Sequence, residues 1–132
     1  MIKNSRTWVA VLGPLLLGVV LALVFLFNYL TKNKAIVTIR NQSGLVMVGG
    51  QLRMTSQPKE QEVGEVGVGD SAKIQFEKFG DGHYQFTAQF RDGKSLRDSG
   101  GILTSGSSYK DNILVKARGD SLVVEFRQVV FN

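Results

Sequence analysis

Three short strings in the sequence have the residue types and the spacing of catalytic or cofactor motifs. Residues 67–72, GVGDSA, fit the GxGxxA pattern that places a dinucleotide pyrophosphate at a helix N-terminus. Ser56 with Lys59, and Ser107 with Lys110, have the SxxK spacing, which needs a helix to aim the lysine at the serine. Pro58 interrupts the first pair, and strand-like residues surround the other two strings. We therefore predict a turn at residues 67–72 and no acyl-transfer site at either serine.

The single histidine offers little for acid–base or metal chemistry. His83 lies on the polar face of a predicted strand, and the neighbouring Asp81 adds only one further ligand. A metal site needs three or four converging groups. We see no acidic residue in a sequence setting apolar enough to raise its pKa for catalysis. The sequence thus predicts no catalytic residue, no cofactor, no metal and no enzymatic activity.

Two further strings match recognition signals that act at a protein surface. Arg118-Gly119-Asp120 is an adhesion tripeptide, and Asn41-Gln42-Ser43 is an acceptor sequence for N-glycosylation. The first lies between two strand patterns, so we interpret it as a hairpin turn that uses its glycine. The second we interpret as an ordinary turn rich in Asn, Ser and Gly.

The strongest signal in the sequence is an apolar segment near the N-terminus. Residues 8–30 are 23 residues without a charge, and as a helix they would span about 34 Å, against a hydrocarbon core of about 30 Å. Trp8 and Tyr29 stand at the two ends, where amphipathic rings favour the membrane interface. No small-x-small cleavage site follows. We predict a retained transmembrane helix that contacts the lipid bilayer through residues 8–30.

This helix divides the chain into four parts. Residues 1–7 form a short basic tail, residues 31–35 a juxtamembrane linker, and residues 36–132 the domain. Basic residues flank the helix on both sides, but a short basic tail before a first hydrophobic segment favours a cytoplasmic N-terminus. The domain is then expected outside the cytoplasm, in the periplasm if the cell is bacterial. The linker reaches about 17 Å when extended, so the domain stays close to the membrane surface.

One row of the predicted helix is unusual in its side chains. Ala10, Pro14, Gly18 and Ala22 recur at a spacing of four. Small residues at this spacing allow two helix backbones to approach closely in lipid. We predict that the row packs against a partner helix or a second copy of the chain. The alternative is coincidence, because glycine and alanine are common in membrane helices. Pro14 also predicts a kink.

Beyond residue 31 the apolar pattern has a period of two and shows no sustained helical period. Seven or eight short strands over about 100 residues predict an all-β fold, a small antiparallel β-sandwich of immunoglobulin-like size. A small barrel is the alternative. The clearest strand is HYQFTAQF, which places one set of side chains on a single face: Tyr84, Phe86, Ala88 and Phe90.

Three sites in the sequence bear on how these strands begin, turn and end. Residues 91–93, RDG, predict a three-residue loop with a left-handed Gly93, which pairs Leu96 with Ala88. Gly49-Gly50 predicts a two-residue hairpin turn, with a single bulged strand as the competing interpretation. The last strand changes phase near Gln128, which indicates a bulge or the end of its sheet contact.

The charge of the domain argues against nucleic-acid binding. Residues 31–132 hold 14 of the 16 basic residues and all 11 acidic ones, a net charge of +3. That balance is mildly basic and lacks a nucleic-acid footprint.

We expect a membrane-anchored, non-enzymatic binding or accessory protein. In this hypothesis its domain contacts a protein partner in or next to the membrane, as a small subunit or assembly factor of a membrane complex. One alternative is an immunity- or inhibitor-type protein that neutralises a toxin or hydrolase outside the cytoplasm, with the helix as a tether. A second alternative is a membrane-bound enzyme.

Overall fold

The computed structural model describes residues 3–31 and 33–131, with the side chains of residues 10–27 and 33–130. The chain divides into two compact units, Met1–Thr31 and Lys32–Asn132. The first contains helix α1, Lys3–Thr31, which runs through Pro14 and includes the predicted span 8–30. Met1 and Ile2 of the predicted tail, and the side chains of Trp8 and Tyr29, lie outside the described residues.

The second unit is built from β-strands, as predicted. Its described part contains nine strands, two of which are only two or three residues long: β1 Lys34–Gln42, β2 Met47–Met54, β3 Gln61–Val63, β4 Ser71–Glu77, β5 Gly82–Phe90, β6 Ser95–Leu103, β7 Ser108–Arg118, β8 Ser121–Arg127 and β9 Val130–Phe131.

These strands form two sheets with one core between them, so the predicted β-sandwich is confirmed. The first sheet has the order β4-β1-β7-β8, and β9 pairs with the start of β7. The second sheet has the order β3-β2-β5-β6. All strand pairs are antiparallel except β1 with β7, which is parallel. A parallel neighbour needs a long connection, and residues 43–107 supply it by forming the second sheet and β4.

Strand β5 has the predicted alternation. Its four inward residues, Tyr84, Phe86, Ala88 and Phe90, are at most 2% exposed. The connection to β6 is also as predicted, because Ala88 pairs with Leu96. The loop at residues 91–93 turns through Gly93, whose φ of +87° is left-handed. An apolar alternation and one glycine thus set both the face and the register of this hairpin.

The prediction of a hairpin at Gly49-Gly50 is wrong, and the competing bulged strand is correct. Both glycines lie inside β2, and the pairing of β2 with β5 shifts between Met47 and Gly49. Gly50 lies directly opposite Ala88, and a Cβ atom built on it would lie 2.6 Å from the carbonyl oxygen of Thr87. The physical requirement here is close backbone approach rather than chain reversal.

This difference predicts unequal effects of alanine at the two glycines. Gly50→Ala is expected to lower the free energy of unfolding by about 1–3 kcal/mol, because the new methyl group overlaps a backbone carbonyl. Gly49→Ala is expected to change it by about 0.5 kcal/mol or less, since the nearest atoms to its Cβ position are 3.9 Å away. Thermal unfolding of the intact protein in mild detergent measures both. Equal losses would indicate that the two glycines act together as a turn.

Candidate functional site

The motif-like strings of the sequence lie in turns, loops and strands. Residues 67–72 turn through Gly69, with a φ of +78°, and lead into strand β4 rather than into a helix. Ser56 and Lys59 lie in the loop between β2 and β3, and Ser107 and Lys110 flank the start of β7. The predicted turn at residues 67–72 is confirmed, and neither SxxK pair lies on a helix.

The glycosylation-like string is part of the domain interior. Asn41 is fully buried, and its Nδ2 donates to the carbonyl oxygens of Leu45 at 2.6 Å and Val66 at 3.0 Å. Asn41 Nδ2, the atom that would carry a glycan, therefore links the β1–β2 connection to the β3–β4 connection. Arg118-Gly119-Asp120 forms the tight β7–β8 turn, with a φ of +62° at Gly119. The interpretation as a turn agrees with this geometry for Arg118-Gly119-Asp120. It is wrong for most of the other string, because Asn41 and Gln42 end strand β1 and only Ser43 lies in the connection to β2.

His83 has a structural environment of the kind expected for a solvated side chain. It is exposed at the start of β5, and its backbone N–H donates to Thr55 Oγ1 at 3.0 Å. Asp81 Oδ1 accepts from the backbone N–H of Ser105 at 2.7 Å. Within residues 33–131, no three His, Cys, Asp or Glu side chains converge in a way that would hold a metal ion.

The expectation that no acidic residue has an apolar setting is wrong for Asp111. Its side chain points into the core from β7 and is 2% exposed. The physical reason is strand register: β7 alternates, and Asp111 falls on the same inward face as Ile113 and Val115, both fully buried. The sequence carried this signal in the period-two run YKDNILV, where the aspartate occupies an inward position.

Asp111 connects the two sheets through a buried hydrogen-bond network. Its Oδ2 accepts from the hydroxyl of Tyr84 at 2.5 Å and from Nε2 of Gln128 at 3.2 Å. Its Oδ1 accepts from the backbone N–H of Val129 at 3.3 Å. Tyr84 belongs to β5 of the second sheet and Asp111 to β7 of the first. The short Tyr84 contact is therefore a direct polar link across the core.

Gln128 extends this network to the side of the sandwich. Its side-chain amide pairs with the backbone of Ile102 in β6, accepting at 2.7 Å and donating at 3.2 Å. These two bonds link strand β6 of the second sheet to the segment between β8 and β9 of the first. The change of phase predicted at Gln128 coincides with an interruption of the sheet contact and not with its end. Strand β8 stops at Arg127, and β9 resumes the pairing with β7 at Val130 and Phe131.

Burial raises the pKa of both groups in the Tyr84–Asp111 pair. Desolvation is the largest cause for Tyr84, followed by its hydrogen bond to Asp111 and the negative charge of that carboxylate. For Asp111, desolvation raises the pKa, and the hydrogen bonds from Tyr84, Gln128 and Val129 oppose that rise. Each oxygen of the carboxylate has a hydrogen-bond partner within the protein, so the Asp111 side chain is held in one position between the sheets.

The predicted helix row lies within the described part of α1. Ala10, Pro14, Gly18 and Ala22 are all exposed, as is the rest of the Ala10–Phe27 segment. Apart from the adjacent backbone of its own helix, a Cβ atom on Gly18 would have no described atom within 4 Å. By length and composition, this segment is apolar enough to cross a membrane.

The first sheet carries a basic surface that is not evident in the sequence alone. Residues paired across neighbouring strands share a face, and the register of β4, β1, β7 and β8 places one set of side chains outward. We call this surface the outer face of the first sheet. Among the described residues it carries two acidic side chains, Glu77 and Glu125, and seven basic ones: Lys34, Arg40, Lys73, Lys110, Lys116, Arg118 and Arg127.

A shallow cleft of about 510 Å³ lies on this outer face. Arg40 and Arg127 line it together with Gln42, Asn112 and Leu114. Arg40 Nε donates to Asn112 Oδ1 at 3.4 Å, and Arg127 Nε donates to Glu125 Oε1 at 2.7 Å. Two guanidinium groups beside two side-chain amides form a donor-rich surface suited to an anionic group.

Comparison with known proteins identifies the fold and no family. No protein-family model matches the sequence, and no curated protein matches it. Among solved structures, the NMR structure of a protein from Eubacterium rectale is similar, with a TM-score of 0.57 and 17% sequence identity. The match covers 74% of this chain and 92% of that one. At this identity the likeness concerns the fold alone. The chain is thus a small β-sandwich preceded by one long apolar helix.

Proposed function

We propose that this protein is a membrane-anchored, non-enzymatic binding protein whose β-sandwich contacts a protein partner at the membrane surface. In this role it is a small subunit or an assembly factor of a membrane complex. The observation that carries the proposal is α1, whose Ala10–Phe27 segment leaves every side chain exposed. A continuous apolar surface of that length is unfavourable in water and favourable in lipid.

The length of the helix supports a full crossing of the bilayer. The 29 residues of Lys3–Thr31 rise about 43 Å at 1.5 Å per residue, more than the hydrocarbon core of about 30 Å. We further propose a cytoplasmic N-terminus and an extracytoplasmic sandwich, on the ground of the short basic tail. Protease added to intact spheroplasts is expected to digest the sandwich, and protection until permeabilisation would reverse this orientation.

The row Ala10, Pro14, Gly18 and Ala22 is the proposed contact with a partner helix in the complex or a second copy of the chain. Its support is the spacing of four between the small residues Gly18 and Ala22, which lets the backbone of another helix approach closely. In this proposal the row contacts the partner helix, and the other side chains of the helix contact lipid. Substitutions in the row should therefore weaken partner binding, whereas substitutions outside the row should not.

Co-purification of the intact protein in mild detergent tests the proposed function. Gly18→Leu and Ala22→Leu are expected to reduce recovery of the partner about tenfold, because a larger side chain holds the two backbones apart while leaving insertion favourable. Leu16→Ile and Val20→Leu are matched controls off the row, and we expect them to recover the partner as the parent chain does. Membrane fractionation of each variant measures insertion separately.

Two outcomes would contradict parts of this proposal. If the row variants behave like their controls, the row has no packing role and the helix is a passive tether, as the immunity- or inhibitor-type hypothesis requires. If an unrelated transmembrane helix in place of residues 8–30 preserves function, the partner contact belongs to the sandwich alone. Recovery of no specific protein with the parent chain would contradict the proposed function as a whole.

A further inference from the structure

The outer face of the first sheet differs sharply in charge from the opposite surface of the sandwich. With seven basic and two acidic side chains, it has a net charge of +5 over its described residues. The outward positions of the second sheet carry one acidic residue, Glu62, and two arginines, Arg53 and Arg97, among mostly neutral polar groups. The two surfaces belong to the same domain, so the charge is concentrated on one side of it.

The acidic side chains of the outer face are already neutralised locally. Glu125 accepts from Lys116 Nζ and from Arg127 Nε, both at 2.7 Å. Glu77 lies 4.0 Å from Lys34 Nζ. These pairs leave a band of positive charge around the cleft that Arg40 and Arg127 line. Both arginines use Nε for their contacts within the described domain, and the remaining donors of each guanidinium suit phosphate oxygens.

We propose that the outer face of the first sheet docks on an anionic phospholipid surface, with headgroup phosphates in the cleft between Arg40 and Arg127. This inference rests on the membrane anchor of the proposed function. Only residues 32 and 33 separate the end of α1 at Thr31 from the start of β1 at Lys34, which is about 10 Å of extended chain.

The short connection between α1 and β1 favours a bilayer over a free acidic protein as the binding partner of the outer face of the first sheet. Electrostatic attraction at physiological salt extends over about 8 Å, and a bilayer that holds the anchor is always within chain reach of the domain. Tethering makes this contact intramolecular, so weak individual charge contacts suffice to maintain it. A free acidic partner has no such advantage.

The experiment uses the full chain in lipid nanodiscs and exploits the absence of cysteine from the sequence. Thr38→Cys places a single fluorophore on the outer face of the first sheet, in β1, and Thr87→Cys places the same fluorophore on the outer face of the second, in β5. A quencher attached to lipid headgroups then reports how closely each face approaches the bilayer. Co-elution with the discs verifies the anchor independently.

In discs that contain phosphatidylglycerol, we expect quenching at residue 38 to exceed quenching at residue 87 by about threefold. The difference should disappear in phosphatidylcholine discs and in about 1 M salt, where the Debye length is about 3 Å. Arg40→Glu combined with Arg127→Glu should abolish it. Arg53→Glu combined with Arg97→Glu makes the same charge change on the opposite face and should preserve it.

Equal quenching of the two faces in all discs would overturn lipid docking and would leave the basic face for an acidic protein. Loss of the difference in both charge-reversal variants would also overturn it, because net charge rather than this face would then be responsible. Neither result affects the co-purification experiment, which tests the proposed function through the helix. A chain that fails to co-elute with the discs contradicts the anchor, and with it the docking.

Discussion

Phe86→Ala is expected to lower the free energy of unfolding by about 3–5 kcal/mol, since it removes a large apolar side chain from a close-packed site. Phe86 is fully buried at the centre of β5. In register it lies opposite Leu52 of β2, which is also fully buried. The cavity left by the ring would therefore be enclosed by rigid neighbouring strands. Thermal or urea unfolding of the intact protein in mild detergent measures the loss.

Gln89→Ala on the opposite face of the same strand is the matched control. Gln89 is exposed, and we expect its substitution to change stability by about 0.5 kcal/mol or less. Gln85→Ala, which removes an acceptor for Arg53, is expected to have a similarly small effect. Comparable losses on both faces would mean that β5 is buried on two sides, in disagreement with the sandwich.

The second large effect is expected from Tyr84→Phe, which should cost about 2–3 kcal/mol near neutral pH. The substitution keeps the ring and removes the hydroxyl that donates to Asp111 at 2.5 Å. Hydrogen bonds to charged groups contribute about 1.5–3 kcal/mol, and a buried carboxylate that loses a donor is costly. Tyr109→Phe is the matched control, because its hydroxyl accepts from the backbone N–H of Thr104 at 2.9 Å and a neutral bond contributes only about 1 kcal/mol.

The same pair predicts the response to alkaline pH. The pKa of Tyr84 is raised in the folded protein by burial and by Asp111, whereas a tyrosine in the unfolded chain ionises near pH 10. Above that pH the folded state retains a proton that the unfolded state has lost. Stability therefore falls with rising pH, by up to about 1.4 kcal/mol per pH unit. Tyr84→Phe should remove this contribution, and Tyr109→Phe should retain it.

Asp111 acts with the same sign at acidic pH. Its pKa in the folded protein is raised by desolvation, so the folded state holds a proton above the usual aspartate range near 3.9. This contribution to stability falls as the pH rises from about 4 towards the raised value. For Tyr84, the contradicting result is a Tyr84→Phe variant whose stability falls above about pH 10 as steeply as that of the parent protein. Other groups would then control the alkaline pH dependence.

The sequence predicts those parts of the fold that depend on local pattern. The alternation of HYQFTAQF identifies the buried face of β5, and Gly93 identifies the loop that aligns Ala88 with Leu96. Gly49-Gly50 was misassigned because a glycine pair satisfies both a hairpin and a close backbone approach. The atom that decides between them is the carbonyl of Thr87, which belongs to a strand more than 30 residues later in the chain.

The candidate surface could not be predicted for a related reason. Its basic residues come from four strands, and the pair that brings them together is β1 with β7, where Ile36 lies beside Lys110. The alternation of apolar and polar residues within one strand gives no information about a pairing between residues 74 positions apart. The net charge of +3 for residues 31–132 is a sum over the whole domain. It therefore does not show that the outer faces of the two sheets differ in charge. Asp111, in contrast, was detectable from the inward positions of its own strand.

The central position of β1 has a mechanical consequence for a tethered protein. If α1 anchors the protein in a membrane as proposed, a pulling force transmitted through it enters the sandwich at Lys34, the first residue of β1. That strand is held on both edges, by seven residue pairs with β4 and eight with β7. Under a load along the strand, these hydrogen bonds share the force in shear instead of opening one at a time from an end. In the proposed anchored protein, the tether therefore joins a strand that is paired on both edges.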